Sequence, residues 1–141
     1  MAGNAHGLID TGAILALIDA DEQWHDATKT ALAKLRLPLA TTGAVLAEVF
    51  HLVDKRHLRA TWDFVQSGAV AVLPLTDADL PDLRLLMERY RDRPMDFADA
   101  TLVHLAARES LATILTIDHD DFETYRFGRG RKFRIVPSRD A

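Results

Sequence analysis

Asp10, Glu48, Asp99 and Asp118 are acidic residues set in apolar surroundings. Asp10 interrupts Leu8-Ile9-Asp10-Thr11-Gly12-Ala13-Ile14-Leu15, and Glu48 interrupts Val45-Leu46-Ala47-Glu48-Val49-Phe50. Asp99 heads the helical stripe Asp99, Leu102, Val103, Ala106, while Asp118 follows the strand-like Thr113-Ile114-Leu115-Thr116-Ile117. A carboxylate so placed needs a cation, a cluster of donors or a raised pKa. Four of them, spread along the whole chain, point to one acidic pocket that holds a divalent metal. Carboxylate oxygen is the natural ligand of Mg²⁺ and Mn²⁺. Such an ion polarises a phosphoryl oxygen, helps a bound water ionise and orients in-line attack. Without an ion, two carboxylates about 4 Å apart repel by roughly 4 kcal/mol at an effective dielectric of about 20. Function explains such a cluster better than stability does.

Each acid also has a local reading. Asp10, before Thr11-Gly12, fits a helix cap. Glu48 has Lys55 and Arg56 nearby, although neither is at the i+4 spacing of a good pair. Asp96 reads as the cap of a helix starting at Phe97, with Asp99 three residues on, where negative charge suits the helix dipole. The run Asp118-His119-Asp120-Asp121 contains turn chemistry as well, and Asp118 is chosen from it because it directly follows the strand. Thr11 and Thr116 offer hydroxyls to a water or a phosphate. The six histidines show no paired ligand spacing. His119, beside Asp118, is the one retained as a weak site candidate.

The 141 residues are expected to form one domain, residues 1–141, long enough to bury a core unaided. Cysteine is absent, which excludes disulfides, zinc–thiolate sites and thiol catalysis and fits a reducing cytoplasm. No basic stretch precedes the first apolar run, and that run is far shorter than a membrane span. Neither a signal peptide nor a membrane anchor is expected. The net charge of −4 argues against coating nucleic acid by bulk electrostatics. Yet Arg126, Arg129, Arg131, Lys132, Arg134 and Arg139 crowd the C-terminal end, and Arg89, Arg91 and Arg93 form a second knot. An acidic centre with local basic patches suits a phosphodiester held by its flanks, with Arg129, Arg131 and Lys132 as the expected contacts.

Strands and helices alternate along the chain. Strands are expected at Gly7 to Thr11, Leu39 to Thr42, Ala69 to Leu75, Ala112 to Ile117 and Phe133 to Val136. Helices are expected at Gly12 to Ala20, Glu22 to Leu35, Gly43 to Arg56, Leu58 to Gln66, Asp77 to Arg91 and Asp96 to Glu109, with a short turn from Asp120 to Tyr125. The Asp77 helix has Leu80, Leu83, Leu86, Met87 and Tyr90 as its core stripe, and Pro94 breaks the chain after it. This order predicts an α/β sandwich with a mainly parallel sheet. Sites in such sheets form beyond the carboxyl ends of the strands, where Asp10 and Asp118 fall.

In order and surroundings these segments resemble a PIN domain, in particular the small bacterial ribonuclease toxins of the VapC type. The matching runs are Leu8 to Leu17, Ala47-Glu48-Val49, Met95-Asp96-Phe97-Ala98-Asp99-Ala100-Thr101-Leu102-Val103 and Leu115-Thr116-Ile117-Asp118-His119-Asp120-Asp121-Phe122. The resemblance implies a PIN-like three-layer sandwich and Mg²⁺- or Mn²⁺-dependent cleavage of RNA. It implies Asp10, Glu48, Asp99 and Asp118 as the catalytic acids, with Asp10, Asp99 and Asp118 on the metal and Asp96 as an extra acid. It also implies a homodimer neutralised by a small antitoxin that blocks the acidic groove.

Other readings stay open on the sequence. One is a PIN nuclease of RNA processing without an antitoxin, and another is a non-catalytic RNA- or protein-binding module that uses the basic tail. A phospho-acceptor receiver domain ranks low, because Asp10 stands alone at its strand end and the third strand ends in Pro74-Leu75-Thr76.

Overall fold

The computed structural model describes residues 4–93 and 95–141. The break expected at Pro94, and the residues Met1 to Gly3, lie outside them. Five short strands, β1 (Leu8–Ile9), β2 (Leu39–Thr41), β3 (Val70–Val72), β4 (Thr113–Leu115) and β7 (Arg134–Val136), form one sheet in the order β3-β2-β1-β4-β7. Every pairing in it is parallel, with Leu8 opposite Ala40 on one side and Ile114 on the other. Helices flank the sheet, as the alternating pattern predicts. They are α1 (Thr11–Ile18), α2 (His25–Ala33), α3 (Gly43–Leu52), α4 (Leu58–Val65), α5 (Leu80–Arg89), α6 (Phe97–Glu109) and α7 (His119–Thr124).

The central strands β1 and β4 are largely apolar because helices cover both faces of the sheet there. Leu8, Ile9, Ile114 and Leu115 are fully buried and join Ile14, Val45, Val49, Leu102 and Leu105 in one core. Each such side chain contributes about 1.5–3 kcal/mol by leaving water. Strand order reverses at β1, whose neighbours β2 and β4 lead away in opposite directions. The ends of β1 and β4 therefore make a crevice, the place where parallel α/β sheets build their sites.

Several expected boundaries move. The first strand stops at Ile9, because Asp10 caps α1 instead of extending β1. The helix expected from Asp77 opens as a 3-10 turn (Asp77–Asp79) before α5. Leu80 is not core: it is 51% exposed at the start of α5. A two-stranded antiparallel hairpin of β5 (Arg126–Phe127) and β6 (Arg131–Lys132) stands where no strand is expected. Its turn places Gly128 and Gly130 at φ of +57° and +78°, where glycine carries no steric cost.

Candidate active site

Asp10 leaves β1 and caps α1 in extended conformation, accepting the Ala13 N–H on Oδ1 at 3.1 Å. Its Oδ2 accepts the Thr116 hydroxyl at 2.5 Å, and that same hydroxyl accepts the Asp118 N–H at 2.9 Å. One threonine at the end of β4 therefore ties together the two strand-end acids. Asp96 caps α6 and takes the Asp99 N–H at 2.7 Å, while Asp99 Oδ2 accepts the Tyr125 hydroxyl at 3.1 Å. Capping and clustering are thus combined in the same residues: a cap fixes the direction of a carboxylate, and here the caps aim at one place.

That place is a cleft of about 420 Å³ lined by Asp10, Glu48, Asp96, Asp99, Asp118 and Asp121, with Thr11, Gly12, Leu15, Leu52 and Ile117. Single carboxylate oxygens of Asp99, Asp118 and Asp121 lie within 4.8 Å of one another. Gly12 lets Ile117 pack close to the start of α1, since a Cβ there would sit 3.0 Å from Ile117 Cγ1. A larger groove of about 1070 Å³ runs along α5 and Phe97. It is apolar and gathers no carboxylate cluster, so the chemistry belongs to the smaller cleft.

The electrostatics follow from this crowding. Burial, reinforced by Asp118 and Glu48, pushes Asp10 up to about 7 against the pull of Thr116 and Ala13. Burial and the neighbouring charges of Asp96 and Asp10 push Asp99 up to about 8. Partial burial and Asp121 raise Asp118 to about 6. The Tyr125 hydroxyl is raised as well, by burial and then by the Asp99 charge, and remains a donor. Burial and mutual repulsion make these carboxyls resist ionising together, and a bound cation would favour their charged forms. An all-oxygen, acid-rich cleft of this kind fits a hard divalent cation.

The other expected residues fall as follows. Thr11 lines the cleft, and Thr116 is occupied in holding Asp10 and Asp118. Arg129, Arg131 and Lys132 are exposed on the β5–β6 hairpin, where Arg131 packs over the Phe127 ring at 4.9 Å, and none of the three lines the cleft. His119 is buried away from it, bonded to the Pro137 carbonyl at 2.9 Å and packed on Trp24. Arg56 pairs with Asp54 and leaves Glu48 to the cleft. Two participants went unseen in the sequence. Asp121 is three residues after Asp118, on the same side of α7, a spacing that repeats Asp96 and Asp99. Tyr125 reaches Asp99 only through the tertiary fold.

The cap-built acidic crevice lies at the strand-order reversal of a parallel sheet, where α/β folds place their sites. The PIN domain family model matches residues 7–128, and the chain belongs to that family. Within it the resemblance is to the VapC type. Ribonuclease VapC26 of Mycobacterium tuberculosis (strain ATCC 25618 / H37Rv) is 30% identical over an alignment of 142 residues, gaps included, that spans 92% of this chain and 99% of the relative. The crystal structure of Mycobacterium tuberculosis VapC20, a sarcin–ricin loop cleaving toxin, superposes with a TM-score of 0.72 at 22% identity. That match covers 80% of this chain and 90% of VapC20, and it supports the PIN-like α/β fold.

Proposed function

We propose that this protein is an endoribonuclease dependent on Mg²⁺ or Mn²⁺ and the toxin of a toxin–antitoxin pair. The observation that carries the reading is the convergence of acids from β1, α3, α6 and the end of β4 on one cleft, in a chain whose full-length relative is a ribonuclease.

Asp10, Asp99 and Asp118 would hold the metal, with Asp96 and Asp121 at its margin. When bound, the ion neutralises the carboxylates and supplies Lewis-acid polarisation of the scissile phosphate. Thr116 holds Asp10 in one orientation, and Tyr125 does the same for Asp99. Such supporting donors set how well a carboxylate serves as a ligand. Glu48, entering from α3, orients the attacking water and takes its proton. The partners are an RNA substrate, a small antitoxin that covers the acidic cleft, and a second copy of the chain in a homodimer. Among the described residues no helix is long and apolar enough to cross a membrane.

The test is cleavage of a mixed single-stranded and structured RNA pool by wild type and Asp10→Asn, with Mn²⁺ or EDTA. Cleavage that needs both the ion and Asp10 supports the proposal. Equal cleavage by the variant removes it.

A further inference from the structure

The cleft wall is strongly anionic, and among the described residues lining it there is no lysine, arginine or histidine. A polyanion entering it meets repulsion unless a cation stands at the rim. The C-terminal basic residues lie outside this lining. Arg126 caps the end of α7 through the carbonyls of Glu123, Thr124 and Tyr125, and Arg139 pairs with Asp120 and Glu123.

Arg93 is placed differently. It stands on the segment between α5 and α6, three residues before Asp96, and donates Nε and Nη2 to Asp121 Oδ1 at 3.2 and 3.1 Å. Both bonds go to a single carboxylate oxygen, so the contact leaves Asp121 Oδ2 for the acid cluster. The Arg93 side chain is 43% exposed, and Nη1 takes no part in the contact. Asp121 anchors the head of a long, flexible side chain at the edge of the cleft and limits the entropy it would lose on meeting a ligand. An exposed ion pair of this kind contributes little to stability. Its geometry suits recognition better, since the planar guanidinium presents further N–H donors that fit phosphate oxygens.

Resting on the nuclease reading, we propose that Arg93 is the substrate-binding residue of the cleft rim, contacting an RNA phosphate beside the scissile one while Asp121 holds it in place. The β5–β6 hairpin plays no part in this contact.

The test measures binding of a short fluorescent single-stranded RNA by anisotropy in EDTA across a salt series. Wild type, Arg93→Gln, Arg93→Lys and, as a control, Arg131→Gln are compared, and cleavage kinetics in Mn²⁺ follow. Arg93→Gln is expected to weaken binding about tenfold and to flatten the dependence of log K on log salt by about 0.7, the single-strand increment for one phosphate contact. Its thermal midpoint should stay near wild type. In cleavage, KM should rise with little change in kcat. Arg93→Lys should restore the salt slope but only part of the affinity, because a point charge replaces the fork. An unchanged affinity and slope in Arg93→Gln overturns the proposal, as does an equal loss in Arg131→Gln. Wild type that binds RNA but does not cut it would remove the nuclease reading and leave Arg93 to be judged on the binding series. Wild type that binds no RNA overturns both.

Discussion

The Thr116 hydroxyl donates to Asp10 Oδ2 at 2.5 Å, bridging the end of β4 to the end of β1 across 106 positions of sequence. This bond lowers the pKa of a carboxyl that burial nonetheless raises to about 7. Thr116→Val removes the donor and also leaves the Asp118 N–H unpaired. A hydrogen bond to a charged group is worth about 1.5–3 kcal/mol, which corresponds to about one or two pKa units. Thr116→Val should therefore shift the pH profile of cleavage to the alkaline side and lower the rate at neutral pH by about 10- to 100-fold. Thr116→Ser should stay near wild type. A pH–rate profile of the three proteins checks this.

Metal-free stability should depend on pH in an unusual direction. Asp10 and Asp99 have pKa values raised from 3.8 to about 7 and about 8, so the folded state prefers their neutral forms. Their contribution to stability is complete below the unfolded pKa and is lost as pH rises through 7 to 8. In EDTA the thermal midpoint should fall between pH 5 and pH 8.5, and Asp99→Asn should flatten that fall. Added Mn²⁺ should raise the midpoint more at pH 8 than at pH 6, because the ion binds the ionised carboxylates.

Activity and stability should separate at Asp99. Asp99→Asn relieves repulsion from Asp96, Asp10 and Asp118, and its amide can still meet the Tyr125 hydroxyl. The variant is expected to melt above wild type in EDTA and to lose at least about 100-fold in cleavage, more than a supporting residue costs. Loss of activity together with loss of fold would contradict this.

Phe122 tests how the core supports the site. It is fully buried on α7 and makes edge contacts with Tyr125 and Phe133 at centroid distances of 5.3 and 5.5 Å. Phe122→Ala should cost about 3–5 kcal/mol in a denaturant titration. The loosened Tyr125 should also weaken metal binding, read as a smaller Mn²⁺-induced rise in thermal midpoint.

The α/β order was legible because the strands are short apolar runs and the helices carry their stripes at helical spacing. The convergence of Asp10, Glu48, Asp99 and Asp118 on one cleft was legible for a related reason: each is a charge where the pattern calls for an apolar residue. What failed had local causes. Leu80 sits on the stripe, but it is the first residue of α5 and lines the apolar groove along that helix instead of the core. The hairpin strands are two residues each, too short to show alternation. Asp121 was hidden in a run of three aspartates within four residues, where turn chemistry and site chemistry look alike. The position of Arg129, Arg131 and Lys132, exposed on a hairpin outside the cleft lining, was not legible either, because charge density does not say where a hairpin points. Tyr125 has no local signature, since its partner Asp99 lies 26 positions away.

The central claim is that the carboxylates gathered at the ends of β1 and β4 hold the ion that cleavage needs. Anomalous scattering at the manganese edge, from crystals soaked in MnCl₂, tests it most directly. A peak is expected in the cleft, bonded to Asp10, Asp99 or Asp118, and it should be lost in Asp10→Asn crystals soaked alike. Manganese ordered elsewhere on the protein, with the cleft empty at saturating ion, would contradict it.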